Sequence, residues 1–129
     1  MAYVDIVTAL ALLQFMVFGF KVAKARGRYG VAAPAVAGNQ IFERYFRVQQ
    51  NTLEQLIVFL PGLYLFSHYY SPPVAAALGV VYLIGREIYA MTYVKDPKKR
   101  EAGYVLTVLP MTVLILGGLF GAIRQLAGH

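Results

Sequence analysis

One row of polar side chains at helical spacing carries the strongest chemical signal in this 129-residue sequence. Its members are three, four and three positions apart, which puts them on one face of a helix: Arg44, Arg47, Asn51 and Glu54. Gln49, Gln50 and Gln55 flank the row. Guanidinium forks bind carboxylates, and a glutamate accepts hydrogen bonds from an amino group. The row therefore indicates a site for a ligand that has both carboxylates and an amino group.

A second row follows downstream, where Arg86, Tyr89 and Tyr93 share a helical face with Glu87 alongside. Ion pairs between helices, such as Glu54 with Arg86, could hold a bundle together without any ligand, and that interpretation stays open. The arginines near the two rows outnumber the glutamates, however, and amides and phenols lie beside them. Excess positive charge at membrane depth, together with such donors, favours a binding site for a polar anion.

The length of the first row indicates the size of that ligand. Arg47 and Glu54 are about 10 Å apart along a helix axis, at ~1.5 Å per residue. An extended tripeptide spans about this distance, at ~3.3–3.6 Å per residue. A zwitterionic peptide with extra carboxylates fits the arrangement, although the spacing alone does not name it.

Four long apolar stretches must supply the helices on which these rows lie. Hydrophobic residues make up 59% of the chain and charged residues 14%, against about 25% charged residues in a typical soluble domain. Each stretch is close to the ~20 residues that an α-helix needs to cross a bilayer. We therefore expect an all-α, four-helix transmembrane bundle. It would form a single domain over residues 1–129, with spans at roughly 3–26, 40–70, 73–95 and 97–126.

The charges predict how such a bundle is oriented. The net charge is +6, and eleven of the twelve Lys and Arg residues fall in two windows, 21–47 and 86–100. The positive-inside rule places both windows in the cytosol, which explains the basic excess without nucleic acid. Asp5 stands where a signal peptide has its basic region, so we expect the first span to be retained. The chain has no cysteine, and His68 and His129 lack a ligand cluster, so no metal site is expected.

The start of the last helix has a recognisable signal. Asp96 followed by Pro97 is typical of an N-cap and a first helical position, which would place Arg100 in the first turn. Cations at this end are unfavourable on their own, because a helix N-terminus already has partial positive charge. They indicate either positive-inside topology alone or a negative group that binds there.

Residues 42–54 resemble a known family signature. Their sequence, F-E-R-Y-F-R-V-Q-Q-N-T-L-E, matches the motif E-R-x-x-R-x-x-x-N-x-x-E of the membrane-associated proteins in eicosanoid and glutathione metabolism. A second match is R-x-x-Y-x-x-x-Y at residues 86–93, and the resemblance covers nearly the whole chain. Within the family, the chain is most similar to the branch of leukotriene synthase and the microsomal glutathione transferases.

The resemblance implies a homotrimer that binds glutathione between adjacent subunits near the cytosolic face. The glutathione ligands carried over by motif position are Arg47, Asn51, Glu54, Tyr89 and Tyr93 of one subunit, with Arg26 and Gln49 of its neighbour. Arg100 corresponds to the catalytic arginine that stabilises the glutathione thiolate. Because a free thiol has a pKa of ~8.5, a fixed guanidinium and a helix N-terminus would raise the thiolate fraction at neutral pH.

The implied activity is that of a membrane-bound glutathione transferase, in which the thiolate attacks a hydrophobic electrophile dissolved in the membrane lipids. Glutathione-dependent reduction of lipid hydroperoxides is left open as a further activity of the same site. Two departures concern the acceptor. Gly27 replaces the second arginine of the leukotriene synthase, and Gln55 replaces an aromatic residue. We therefore do not expect a dedicated leukotriene synthase, and the acceptor is not carried over.

Two alternatives remain: a non-catalytic lipid-binding member of the family, and a small transporter or structural bundle. Arg100 favours the enzyme over the first, because the lipoxygenase-activating relative lacks that arginine. The charges cluster at one end and do not line a full crossing, which argues against a transporter. We expect a multi-pass protein with the two basic connections and the active site on the cytosolic side. A bacterial inner membrane and an endoplasmic reticulum membrane are both open, and we expect the bacterial one.

Overall fold

Four α-helices follow one another in the computed structural model, which describes residues 1–128 and leaves His129 outside the described residues. Their bounds are Ala2–Tyr29 for α1, Gln40–Tyr69 for α2, Pro72–Lys95 for α3 and Glu101–Leu126 for α4. A 3-10 turn, Pro97–Lys99, precedes α4. The described part of the chain contains no strand, and the prediction of an all-α, four-helix bundle is confirmed.

The outer surface of the bundle is apolar. Three segments are long and apolar enough to cross a membrane, namely Ala2–Tyr29, Pro72–Lys95 and Pro97–Leu126. α2 has the required length, at 30 residues, but its first half carries the polar row. Ile57, Leu109 and Leu116 each expose more than half of their side-chain surface. Such an exterior suits hydrocarbon and not water, so the chain is an integral membrane protein.

One buried cluster joins all four helices. α2 and α3 each pack against the three other helices, so the centre of the bundle lies between them. The rings of Phe59 and Tyr82 stack there, with centroids 3.8 Å apart and planes inclined by 4°. Val4 of α1 and Leu114 of α4 complete the cluster and are fully buried. This packing fixes the positions of the polar parts of α2 and α3 relative to each other at one end of the bundle.

The loop between α1 and α2 has defined ends. Gly30 ends α1 in the left-handed conformation, at φ 69°, which glycine adopts without the steric penalty of a Cβ atom. Asn39 begins α2, because its Oδ1 accepts hydrogen bonds from the backbone N–H groups of Ile41 and Phe42, both at 2.9 Å. These caps fix where the polar row of α2 starts.

The start of α4 differs from the prediction. Asp96 is an N-cap, as predicted, and its Oδ1 accepts a hydrogen bond from the Lys98 N–H at 3.1 Å. It caps the 3-10 turn, however, and α4 begins only at Glu101. Arg100 is therefore the N-cap residue of α4 and does not lie in its first turn. Its carbonyl accepts the first hydrogen bond of that helix, from Tyr104 at 3.0 Å.

Candidate functional site

A polar cleft of about 350 Å³ opens between α2, α3 and the start of α4. Its volume is within the range of small-molecule sites in proteins. Six of the eight residues predicted for the site line it: Arg47, Asn51, Glu54, Tyr89, Tyr93 and Arg100. Three separate elements of the chain thus bring the two polar rows and the arginine before α4 together.

The periodicity of α2 explains its contribution to the cleft. Val48, Thr52 and Leu56 occupy the opposite face of the helix and are buried in the bundle. The Thr52 hydroxyl donates to the Val48 carbonyl at 2.8 Å, so this polar side chain is satisfied within its own helix. The other face can then carry groups that need water or a ligand. Arg47 and Glu54 are exposed on it.

Gln50 also lines the cleft. By sequence it lies beside the polar row and is not among the predicted site residues. It lies three positions after Arg47 and four before Glu54, which is the spacing of one helical face. The signal that identifies it was therefore present in the sequence. Its amide adds a donor and an acceptor to the site.

α3 supplies two aromatic hydroxyls. The rings of Tyr89 and Tyr93 stack with centroids 5.4 Å apart, and Tyr89 is only 5% exposed. Gly103 of α4 lies directly against Tyr89, because a Cβ atom at this position would overlap the Tyr89 backbone. This close approach brings the start of α4, and Arg100 with it, to the edge of the cleft.

Arg86 lies behind the cleft and is fully buried. Its Nη1 donates to the Oδ1 atom of Asn51 at 2.8 Å, in place of the ion pair with Glu54 that the sequence left open. Its guanidinium carbon lies 4.3 Å from the centroid of the Tyr89 ring, a cation–π contact. Its Nε and Nη2 have no hydrogen-bond partner within residues 1–128.

The Arg86 contact determines which way the Asn51 amide is turned. A guanidinium only donates hydrogen bonds, so it must face the amide oxygen of Asn51. The NH₂ group of Asn51 then remains for the cleft. Asn51 is consequently a donor toward anything that binds there.

Arg100 is exposed at the mouth of the cleft. Its Nη1 donates to the Pro97 carbonyl at 3.0 Å, which folds the side chain back over the 3-10 turn. The guanidinium and the N-terminus of α4 both contribute positive potential here. An anion that enters the cleft from this side meets both.

Arg26 and Gln49 do not line the cleft of this chain. Arg26, near the end of α1, donates to the Ala35 carbonyl at 2.6 Å and lies 4.9 Å from the Phe42 ring centroid. Gln49 points toward α1, where its Nε2 lies 3.0 Å from the position of a Cβ atom built on Gly19. Their part in a site stays a prediction that requires a second copy of the chain.

Comparison with known proteins establishes the family. Residues 4–120 match the model of the MAPEG family, the membrane-associated proteins in eicosanoid and glutathione metabolism. The chain belongs to this family. The resemblance in the two motifs is therefore confirmed.

Several relatives of the MAPEG chain align over most of its length. An uncharacterized protein of Synechocystis sp. is 47% identical over 121 residues, which are 94% of this chain and 88% of the relative. Microsomal glutathione S-transferase 2 of Homo sapiens is 38% identical over 115 residues, 89% of this chain and 78% of the relative. Leukotriene C4 synthase of Bos taurus is 29% identical over 119 residues, 92% of this chain and 79% of the relative.

Proposed function

We propose that this chain is a membrane-bound glutathione transferase. The observation that carries the proposal is the convergence of seven polar residues in one cleft at the end of the bundle. The similarity to microsomal glutathione S-transferase 2 supports it. The cleft offers a tripeptide two guanidinium groups, one carboxylate, two amides and two phenols.

The groups in the cleft are complementary to glutathione. Arg47 is suited to one carboxylate of the tripeptide, and Glu54 accepts hydrogen bonds from its amino group. The Asn51 amide, turned by Arg86, donates to a carbonyl or carboxylate oxygen. The hydroxyls of Tyr89 and Tyr93 provide further donors near Arg100.

Arg100 is the residue proposed to ionise the thiol. A guanidinium stays charged when it is partly desolvated, and beside a helix N-terminus it stabilises a thiolate relative to a thiol. The sulfur lone pair then forms a bond with an electrophilic carbon. The bond from that carbon to its leaving group breaks, and the leaving group departs with the electron pair. For chlorodinitrobenzene the products are the thioether and chloride.

The same thiolate is chemically competent to reduce a lipid hydroperoxide. Its sulfur takes the distal oxygen to give a sulfenic acid and a lipid alcohol, and a second glutathione then yields the disulfide and water. Because both reactions begin from the same thiolate, the assay measures both.

Turnover with glutathione tests the proposal. Purified protein in detergent is supplied with glutathione and chlorodinitrobenzene or a lipid hydroperoxide, and thiolate formation is followed by ultraviolet absorbance. At neutral pH, Arg100→Ala should remove thiolate absorbance and most of the turnover, while glutathione binding partly persists. Lys99→Ala is the matched control, since it removes a neighbouring cation outside the cleft.

Binding without turnover in the unmodified protein would favour a non-catalytic lipid-binding protein. Absence of glutathione binding would favour a transporter or a structural bundle.

The proposal includes a homotrimer in which Arg26 and Gln49 of one subunit complete the cleft of the next. Co-expression of an Arg26→Ala chain with an Arg100→Ala chain tests it. Each interface takes Arg26 from one subunit and Arg100 from the next, and each arginine is intact in half of the chains. Random assembly of equal amounts should therefore leave both intact at about a quarter of the interfaces and give about a quarter of the normal activity. Recovery of no activity, with trimers present, would place both arginines in the same subunit's site.

We also propose that the chain is a single domain in a bacterial inner membrane, with the cleft on the cytosolic side. The chain has no cysteine, so Lys98→Cys introduces a unique thiol at the end that carries the cleft. An impermeant thiol reagent should label this residue only after the cells are opened. Labelling in intact cells would show that this end of the bundle faces away from the cytosol, opposite to the proposed orientation.

A further inference from the structure

A second cavity, of about 290 Å³, lies on another side of the bundle. Its lining comes from α1, α2 and α3. Eight residues line it: Phe18, Lys21, Tyr45, Val48, Ala90, Met91, Val94 and Lys95. None of them lines the glutathione cleft. We call this cavity the lysine groove.

A thin layer of side chains separates the lysine groove from the glutathione cleft. Phe18, Val48 and Ala90 form its apolar floor, and they belong to the same buried cluster as Tyr89. Tyr93, which lines the glutathione cleft, packs against that cluster. The two cavities therefore lie at the same level of the bundle, and each has its own opening.

The groove combines an apolar wall with cations from two different helices. Lys21 comes from α1 and Lys95 from the last residue of α3. The Lys21 Nζ lies 5.8 Å from the centroid of the Phe18 ring, so the ammonium is held over the floor. A smaller neighbouring cavity adds Lys24 and Arg28 to the positive potential on this side.

The Lys95 ammonium is not needed to cap the carbonyl groups at the C-terminus of α3. Arg44 already donates to the backbone carbonyls of Val94 and Lys95, at 3.1 Å and 3.2 Å. The next residue, Asp96, accepts a hydrogen bond from the Lys98 N–H at 3.1 Å, and Glu87, two turns back along α3, accepts one from Gln14 at 3.2 Å. The lysine pair is thus suited to an anion from outside the chain.

We propose that the lysine groove binds an anionic phospholipid. One acyl chain lies along Met91, Val94 and Phe18, and the phosphate lies between Lys21 and Lys95. The Tyr45 hydroxyl is available as a further donor to the phosphate. An apolar wall beside two cations at one end of a membrane-spanning bundle fits an amphiphilic anion better than a soluble one.

Native mass spectrometry of the detergent-purified protein tests this proposal. The protein is titrated with phosphatidylglycerol and, separately, with phosphatidylcholine of the same acyl chains. Phosphatidylglycerol should bind more tightly, and Lys21→Gln/Lys95→Gln should weaken it about 30-fold, at roughly fivefold per lysine. Lys98→Gln/Lys99→Gln removes the same charge at the same end of the bundle but outside the groove. The affinity of this variant for phosphatidylglycerol should stay within about twofold of wild type.

Three results would overturn the proposal. Equal retention of the two lipids would show an apolar groove without headgroup recognition. Equal losses in the two double variants would show a general effect of surface charge. Displacement of phosphatidylglycerol by inorganic phosphate at similar concentrations would show a free-anion site. Because the test does not involve glutathione, its failure is distinguishable from failure of the proposed function.

Discussion

The hydrogen bond between Arg86 and Asn51 predicts that two substitutions act differently on stability and on glutathione binding. The experiment compares Arg86→Met, Asn51→Ala and the double variant. Methionine approximates the length of the arginine side chain and provides no hydrogen-bond donors. Tyr82→Phe is a suitable control, because the buried Tyr82 hydroxyl has no partner within residues 1–128 and does not line the cleft.

The expected stabilities follow from the burial of Arg86. Its side chain is fully buried, with Nη1 bonded to Asn51 at 2.8 Å and two nitrogens without a partner among the described residues. Replacing such an incompletely satisfied cation by an apolar side chain should leave the free energy of unfolding within about 1 kcal/mol of wild type, or raise it. Asn51→Ala leaves the guanidinium without this acceptor and should cost about 1.5–3 kcal/mol. The double variant should recover most of that loss.

Glutathione binding should differ from stability in the double variant, which recovers stability but not binding. In Arg86→Met, the Asn51 side chain can occupy about four states, from two helix-compatible χ1 rotamers and two amide orientations. Only one of them is the donor orientation seen here, so the KM for glutathione should rise about fourfold. Asn51→Ala removes the donor itself and should raise KM about 10- to 150-fold, the equivalent of ~1.5–3 kcal/mol. The double variant should match Asn51→Ala.

Unfolding in detergent, followed by circular dichroism, measures the stabilities, and initial rates with varied glutathione give KM. Multiplication of the two single effects on KM in the double variant would refute the reasoning, because Arg86 would then act on the ligand independently of Asn51. A larger loss of stability in Arg86→Met than in Asn51→Ala would refute the argument from incomplete hydrogen bonding.

Three further predictions concern single positions. Arg100→Ala should shift the pH–rate profile of conjugation to higher pH. The pKa of the glutathione thiol returns toward ~8.5, so thiolate forms only as the pH rises to that range. An unshifted profile would exclude thiol activation by this residue. Gly103→Ala places a Cβ atom on the Tyr89 backbone and should cost about 1–3 kcal/mol of stability and most of the activity. Gly27→Ala, with nothing within 4 Å of the added Cβ, should leave activity unchanged and stability equal or up to ~1 kcal/mol higher, because alanine favours the helix. Equal losses in the two variants would contradict the packing argument. Asn39→Ala removes the α2 cap and should lower the free energy of unfolding by about 1 kcal/mol at unchanged KM, measured by the same unfolding and rate assays.

The sequence alone predicts four helices and the polar faces of α2 and α3. The apolar stretches require helices in a bilayer, and the three- and four-residue spacing of Arg47, Asn51 and Glu54 puts them on one face whatever the helix packs against. For the same reason Gln50 could have been assigned to the cleft from its position alone. The family signature depends on this local pattern, and membership of the family is confirmed by the match over residues 4–120.

Contacts between residues of different helices, in contrast, could not be predicted without the tertiary structure. Periodicity gives the direction of a side chain but not the axial offset between two helices, so the sequence did not distinguish Asn51 from Glu54 as the partner of Arg86. That offset depends on side-chain packing such as the stack of Phe59 on Tyr82 and the fit of Gly103 against Tyr89. Arg100 reaches the cleft through the same close approach, one residue before α4 and not within its first turn, because a 3-10 turn intervenes.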